Sequence, residues 1–360
     1  MTRTFNFSAG PATMPTTVLE SVRDELLDFQ GTGISVMEMS HRGKIFDAVY
    51  QESIANLRKL AQIPEDFDIL YMTGGASAQF ALVPMNLSGS GRAAGYVNTG
   101  AWSEKAIKEA KAQSLDVFDA GTSKETNHNH IPAEIKTKAG LDYLHITSNN
   151  TIFGTQFQSL PNPGDTQLVI DMSSDFLSKP IDWTNIGIAY AGTQKNAGPS
   201  GLTVVIIRKS YYEREKESVP AIYRYTTYAK NDSMYNTPPT FQIYVFGLIL
   251  KWIESQGGLS GIAQHNENKA KLIYDVIDEF PDFFKGHAQK DSRSLMNVTW
   301  NFANADLNAV FLAESQKRKL DGLKGHRSVG GLRASIYNAM PEAGCKALAD
   351  FMREFQQEHS

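Results

Sequence analysis

Two apolar runs, residues 186–190 and 202–207, flank the stretch Ala191-Gly192-Thr193-Gln194-Lys195-Asn196-Ala197-Gly198-Pro199-Ser200-Gly201. Runs this short and this rich in β-branched residues form strands buried on both faces rather than helices. A chain with such strands must bury them between covering layers. Between them, one lysine sits among small, turn-forming residues. Glycine lets a backbone bend tightly and approach a ligand closely. Taken alone, Lys195 is either a solvated loop charge or a nucleophile held beside something, and loop lysines are mostly solvated.

The same alternation extends along the chain. Strands are expected near residues 68–72, 94–98, 115–118, 143–147 and 167–171. Helical spacing of apolar residues fills the intervals, as with Phe46, Val49, Tyr50, Ile54, Leu57 and Leu60. This order predicts an α/β fold with a large, mostly parallel sheet covered on both faces. Thr16 or Thr17 is placed to cap a helix reaching residue 29, with Glu20 as its capping-box partner. Helices are also expected over 103–112, 211–217, 240–256 and 261–280. After residue 295 the pattern becomes strand, helix, strand, helix, which suits a smaller α+β domain. The expected division is a large domain over 16–255 and a small one formed by 256–360 with the arm 1–15.

Composition narrows the function classes. The chain has 360 residues, 41% hydrophobic and 21% charged, which is ordinary for a globular protein. A net charge of -4 and a pI near 6.1 give no electrostatic case for nucleic acid or anionic membrane. Bound anions must then be held by local basic clusters. The single cysteine, Cys345, excludes an intrachain disulfide and argues against a thiolate metal site. No secretory signal and no apolar run of about 18 residues is seen, so a soluble cytoplasmic protein is expected. His128 and His130 share a polar loop without acid or cysteine support, and no metal site is expected there.

Three features point to one ligand. The turn Gly74-Gly75-Ala76-Ser77, between a strand and a helix, can present backbone amides to a phosphate, or can serve geometry alone. It lacks the closing Lys-Ser/Thr of a nucleotide-binding P-loop, and the glycines at 89, 91 and 95 have the wrong spacing for a dinucleotide fingerprint. Asp171 ends an apolar strand, where ligands bind in open α/β sheets, although a turn cap is the alternative. Lys195 follows at the end of another expected strand. Pyridoxal phosphate needs this set: a lysine amine, an acid for the ring nitrogen and amides for the phosphate.

With further motifs added, the chain resembles the phosphoserine aminotransferase family, within the class V, fold-type I pyridoxal-phosphate enzymes. The resemblance covers nearly the whole chain. It is carried by residues 5–12, by residues 36–43 with Ser40-His41-Arg42-Gly43, by the Gly74-Gly75 turn, and by Asp171-Met172-Ser173-Ser174. Residues 191–196, Asn236-Thr237-Pro238-Pro239-Thr240, Lys324-Gly325-His326-Arg327 and residues 330–338 complete it. It implies transamination between L-glutamate and 3-phosphohydroxypyruvate, giving 2-oxoglutarate and O-phospho-L-serine, in serine biosynthesis. It leaves open 4-phosphohydroxy-L-threonine, in pyridoxine biosynthesis, as a second substrate. It also implies Lys195 as the Schiff-base lysine and Asp171 as partner of the pyridine nitrogen. By the same resemblance Trp102 would stack on the ring, Ala76 and Ser77 would give backbone N–H to the phosphate, and Thr151 and Gln194 would add side-chain contacts. Asn236 and Thr237 would reach the cofactor of a neighbouring subunit, which implies a homodimer with shared sites. Arg333 would take the substrate α-carboxylate, and His41, Arg42, His326 and Arg327 the distal anion.

Two positions depart from patterns found in the family. Ala9 stands where some members have Ser, and Ser77 where some have Arg. Neither touches Lys195, Asp171 or the arginines. Two relatives of the class fit less well. A cysteine desulfurase needs its cysteine on a mobile loop, whereas Cys345 falls in an expected helix. A glyoxylate-type aminotransferase has no use for the extra Arg/His cluster. A protein that binds the cofactor without catalysis is the alternative of a different kind.

Overall fold

The computed structural model describes residues 3–87 and 92–359. The glycine-containing segment at 89–95 falls partly outside that range. In chain order the first half comprises β1 (Phe5–Asn6), α1 (Thr16–Asp24), α2 (Lys44–Leu60), β2 (Phe67–Met72), α3 (Gly75–Leu87), β3 (Ala94–Asn98), α4 (Ala101–Ala112) and β4 (Val117–Thr122). There follow β5 (Leu144–Thr147), β6 (Asn149–Asn150), β7 (Thr155–Gln156), β8 (Leu168–Asp171), β9 (Ile186–Gly192) and β10 (Thr203–Arg208). The remainder is α5 (Tyr225–Lys230), α6 (Thr240–Ser255), α7 (Gly258–Glu279), β11 (Phe284–Gly286), β12 (Asn297–Phe302), α8 (Leu307–Lys317), β13 (Leu320–Asp321), β14 (Leu332–Ser335) and α9 (Glu342–His359).

The large sheet has seven strands in the order β2-β10-β9-β8-β5-β3-β4. Strands β4, β3, β5, β8 and β9 run parallel, and β10 is antiparallel to both its neighbours. The reversal follows from chain length. The lysine-bearing link between β9 and β10 is too short for a crossover, so the second strand must return antiparallel. Side chains alternate between two cores, as the period of a strand requires. Val204 and Ile206 join Phe46, Leu57, Ile243 and Phe246 on one face. Val205 and Ile207 join Leu70, Phe80, Tyr96 and Tyr190 on the other. Both faces are covered, which is why these strands read as continuous apolar runs.

A third core lies between the three-stranded antiparallel sheet β11-β12-β14 and helices α7, α8 and α9. Helix α7 serves two cores: Leu259 and Ile262 pack in the first, and Ile273 and Ile277 in the third. The N-terminal arm returns to this side of the molecule, where β1 pairs in parallel with β13. Lys269, buried in α7, donates to the carbonyls of Ile336 (2.9 Å) and Tyr337 (2.7 Å), just beyond β14. Burial pushes its ammonium pKa down to about 8. Among the described residues, no helix is long and apolar enough to cross a membrane.

Some local expectations need correction. Helix α1 ends at Asp24, and only a 3-10 turn, Phe29–Gly31, lies beyond it. Neither Thr16 nor Thr17 caps it. Pro15 occupies the cap position without a side-chain bond, while Arg3 donates to the Thr16 hydroxyl at 2.5 Å. The segment expected as a charged helix at 211–217 is a 3-10 run, Lys209–Arg214, held by burial of Tyr211 against Gly187. The short hairpin β6–β7 has too little apolar pattern to be read from sequence.

That hairpin depends on Gly154, whose φ of +69° places it in the left-handed region. A Cβ there would lie 2.5 Å from Thr299 Oγ1 and 2.7 Å from the Asn297 carbonyl oxygen. Gly154→Ala should therefore destabilise the protein by about 2 kcal/mol, read as a lower midpoint in urea unfolding. Because Thr151 lies in the same hairpin, weaker cofactor retention should accompany the loss.

Candidate active site

The parallel strands β5, β8 and β9 end together, with Thr147 opposite Asp171 and Asp171 opposite Tyr190. Carboxyl ends of strands in an open α/β sheet form a ligand-binding crevice. Past the end of β9 the chain turns and presents Lys195. Its Nζ is buried, donates to Thr151 Oγ1 at 2.8 Å, and lies 4.5 Å from the centroid of the Trp102 ring. Burial is the chief influence and pushes its pKa down to about 8; Arg333 and Lys105 add to the fall, while Asp171 and Asp175 oppose it.

Asp171 is buried as well. Burial raises its pKa, and Lys195 and Ser173 act against that rise. Ser173 donates to Oδ1 from its backbone N–H at 3.0 Å and from its hydroxyl at 2.7 Å. The same hydroxyl oxygen accepts the Gly192 N–H at 3.1 Å, which locks the end of β9 to the end of β8. Oδ2 of Asp171 takes no hydrogen bond from these donors. Two residues beyond Ser173, Asp175 is buried and accepts from Ser148 Oγ (2.5 Å) and Gln156 Nε2 (3.1 Å).

The arm crosses beside the lysine. The Ala12 N–H donates to the Gln194 carbonyl at 3.0 Å, and Tyr337 Oη donates to the Ala9 carbonyl at 2.7 Å. A Cβ on Gly10, at φ +151°, would stand 3.3 Å from Lys195 Cγ. On the opposite side, Arg333 Nη1 reaches the Thr151 carbonyl at 3.4 Å. Asn338, just past β14, donates its backbone N–H to Oδ1 of Asn196, the residue after the lysine, at 2.8 Å. The third core is thus tied directly to the lysine turn.

The unsatisfied groups match a flat, phosphorylated aromatic aldehyde. Trp102 Nε1 and Arg333 Nε are buried without partners. At the start of α3 the Gly75 N–H is used by Thr203 Oγ1 at 2.8 Å, but Ala76 and Ser77, next along, have no acceptor in the preceding turn. Gly74, at φ +90°, cannot carry a side chain there, because its Cβ would fall 2.6 Å from that of Ala78. Free amides at a helix N-terminus favour an anion. The amine of Lys195, the spare oxygen of Asp171, the indole face and these amides together fit pyridoxal phosphate.

Of the residues singled out in the sequence, one chain therefore joins Lys195, Asp171, Trp102, Thr151 and Arg333. Gln194 directly precedes the lysine, its side chain folded against Gly192. His326 belongs electrostatically to the same cleft: burial lowers its pKa, and Arg333, Arg327 and Lys105 lower it further. By contrast, no hydrogen bond, ion pair or ring contact among the described residues joins His41, Arg42, Asn236 or Thr237 to this group. Arg42, Asn236 and Thr237 are exposed, while His41 Nε2 is buried and unpartnered. Sequence reasoning overlooked Ser173, although Asp-x-Ser is a recognisable turn-forming spacing, and Lys105, which follows Trp102 at helical spacing.

A family model for aminotransferase class-V matches residues 4–348. The chain belongs to the class-V aminotransferases. Within them it stands among the phosphoserine aminotransferases. It is 53% identical to the phosphoserine aminotransferase of Lysinibacillus sphaericus (strain C3-41), over 99% of both chains. It superposes on the phosphoserine aminotransferase from Bacillus circulans subsp. alkalophilus with a TM-score of 0.97, at 48% identity and 99% coverage of each chain. The phosphoserine aminotransferase of Trichomonas vaginalis, solved with pyridoxal phosphate bound, gives a TM-score of 0.93 at 41% identity, covering 98% of this chain and 100% of that one. The fold-type I architecture expected from the sequence is therefore the one observed. Cys345 is buried in α9 and not on a loop, which leaves no place for desulfurase chemistry.

The lowered pKa of Lys195 is testable on cofactor-free protein. Competitive acetylation followed by mass spectrometry should give Lys195 a reactivity midpoint near pH 8, well below exposed lysines. Asp171→Asn should move that midpoint lower still, since it removes the carboxylate that holds the proton on.

Proposed function

We propose that this chain transfers the amino group of L-glutamate to 3-phosphohydroxypyruvate, reversibly, giving 2-oxoglutarate and O-phospho-L-serine with pyridoxal phosphate as cofactor. The single observation that carries the chemistry is a buried lysine amine with a pKa near 8, held between an indole face and a buried carboxylate. When bound, the cofactor supplies an electrophilic carbon for amines and a sink for the electrons left when the substrate Cα–H bond breaks.

The residues divide that work. Lys195 is partly neutral near pH 7 to 8, so it can attack a carbonyl carbon. Its neutral amine would take the substrate Cα proton and hold it at Nζ for redelivery. Asp171 would hold the ring nitrogen through Oδ2 and favour its protonated form. Ser173 fixes the orientation of that carboxylate. Trp102 covers one ring face, Ala76 and Ser77 donate backbone N–H groups to the phosphate, and Thr151 and Gln194 add side-chain contacts. Arg333 has a free Nε and a planar guanidinium suited to a substrate α-carboxylate. His41, Arg42, His326 and Arg327 then serve the distal anion, which glutamate and phosphoserine both carry. A phosphorylated hydroxythreonine has the same head and the same distal group, so 4-phosphohydroxy-L-threonine is a reasonable second substrate.

Some of these residues make no contact with the lysine group among the described residues of one chain, and a homodimer with shared sites explains why. Leu27 (83% exposed), Met37 (60%), Ile34 and Ile45 are exposed in the stretch of chain that carries His41 and Arg42, and exposed Tyr235 precedes Asn236 and Thr237. Apolar exposure beside such polar groups is the pattern of an interface. The division into a large unit, 16–255, and a small unit, 1–15 with 256–360, belongs to the same proposal.

Lys195→Ala should retain the fold by circular dichroism yet lose turnover in a coupled glutamate–phosphohydroxypyruvate assay. Near-normal turnover would sink the assignment of the lysine. The shared site has its own test. Inactive Lys195→Ala and impaired Arg42→Ala proteins, mixed and allowed to exchange subunits, should regain activity, because each hybrid dimer holds one intact site. No recovery in a mixture shown to contain hybrids would place Arg42 in its own chain's site.

A further inference from the structure

Lys105 stands on α4, three residues after Trp102. Side chains at that spacing share a helix face. Its Nζ lies 4.4 Å from the centroid of the Trp102 ring, and Lys195 Nζ lies 4.5 Å from the same centroid. The two ammonium groups are therefore within about 9 Å of each other, a range over which charges in a cleft still interact. The acid next to Lys105 in sequence is engaged elsewhere: Glu104 pairs with Lys124 at 3.2 Å and faces His128 at 4.0 Å. Lys105 itself forms no ion pair among the described residues.

Lys105 acts on the groups around that ring. After burial, Arg333 and Arg327 it helps lower the pKa of His326, and after burial and Arg333 it helps lower that of Lys195. Seated beside the Trp102 ring, Lys105 thus adds to the positive charge of Arg327 and Arg333 around His326, and none of these four residues forms an ion pair among the described residues. Like charges gathered without counter-charge repel one another, and an entering anion relieves that repulsion. The sequence-derived anion set included the other three and left out Lys105.

We propose that Lys105 contacts the distal phosphate of the phosphorylated substrate and favours it over the distal carboxylate of glutamate. The inference rests on the substrate reading given above. A phosphate monoester carries about −1.5 to −2 charges at pH 7 and three acceptor oxygens, whereas a carboxylate carries one charge. One more ammonium beside the Trp102 ring therefore strengthens binding of the phosphorylated substrate more than binding of glutamate. Lys105 acts on substrate choice, and the proton transfers stay with Lys195.

The test uses purified holoenzyme carrying Lys105→Met or Lys105→Arg, with Lys111→Met at the far end of α4 as a surface control. The KM for O-phospho-L-serine should rise about ten-fold in Lys105→Met and that for glutamate less than about three-fold, with kcat little changed. Lys105→Arg should restore most of the difference, and Lys111→Met should behave as wild type. The constant for competitive inhibition by inorganic phosphate should rise with the KM for O-phospho-L-serine. Equal rises for the two donors, or no rise, would overturn the assignment of Lys105. A wild-type enzyme indifferent to the substrate phosphate would instead overturn the substrate reading, so the two failures are distinguishable.

Discussion

The site depends on keeping a lysine amine out of water without letting its charge go unanswered. Desolvation opposes the ammonium form, and a carboxylate nearby restores part of it. In this molecule the balance brings Lys195 to about pH 8 instead of the value of a free lysine. The sheet makes that balance possible. Parallel strands β8 and β9 deliver Asp171 and the lysine turn to the same edge, and Ser173 ties the two strand ends together. An error of register by one residue would point Asp171 to the other face. The two apolar runs that flank the turn are thus more than core: they set the separation of acid and base.

What could be read from the chain was mostly periodic. The buried strands of the large sheet and the long helices α2, α6 and α7 have strong patterns, and they occur within a few residues of where the pattern puts them. The antiparallel direction of β10 was implicit in the length of the loop before it. Features set by single tertiary contacts were not readable. Thr16 looks like a cap but is taken up by Arg3, and the 3-10 run at Lys209–Arg214 is decided by the burial of Tyr211. The site divides in the same way. Lys195 and Asp171 stand at strand ends, where position alone suggests a role. Roles for Trp102, Thr151, Asn236 and the arginines came from whole-chain resemblance, because no local pattern separates a ring-stacking indole from a packing one.

The division of labour between the layers is also informative. Most polar side chains buried near the lysine have partners within the sheet and hairpin, as Asn149, Ser148 and Gln156 do. Among the buried atoms left without partners are Trp102 Nε1, on the ring beside Lys195, and Arg333 Nε, on the side chain that reaches Thr151. Buried polar atoms are usually paired, and a ligand at the lysine would be close to both. Helix α7, shared between two cores and anchored through Lys269 to the segment after β14, steadies the strand that carries Arg333.

The crossing of residues 9–12 beside Lys195 has a consequence for biosynthesis. The arm is held there by β13 and by Tyr337, which are translated long after it, as well as by the Gln194 carbonyl. While the ribosome is still making β13 and Tyr337, the strap over the lysine has only the lysine turn to grip. A nascent chain therefore offers a half-built pocket. Full hold on the cofactor comes only once residues 320–337 have joined the fold and drawn the first residues into place.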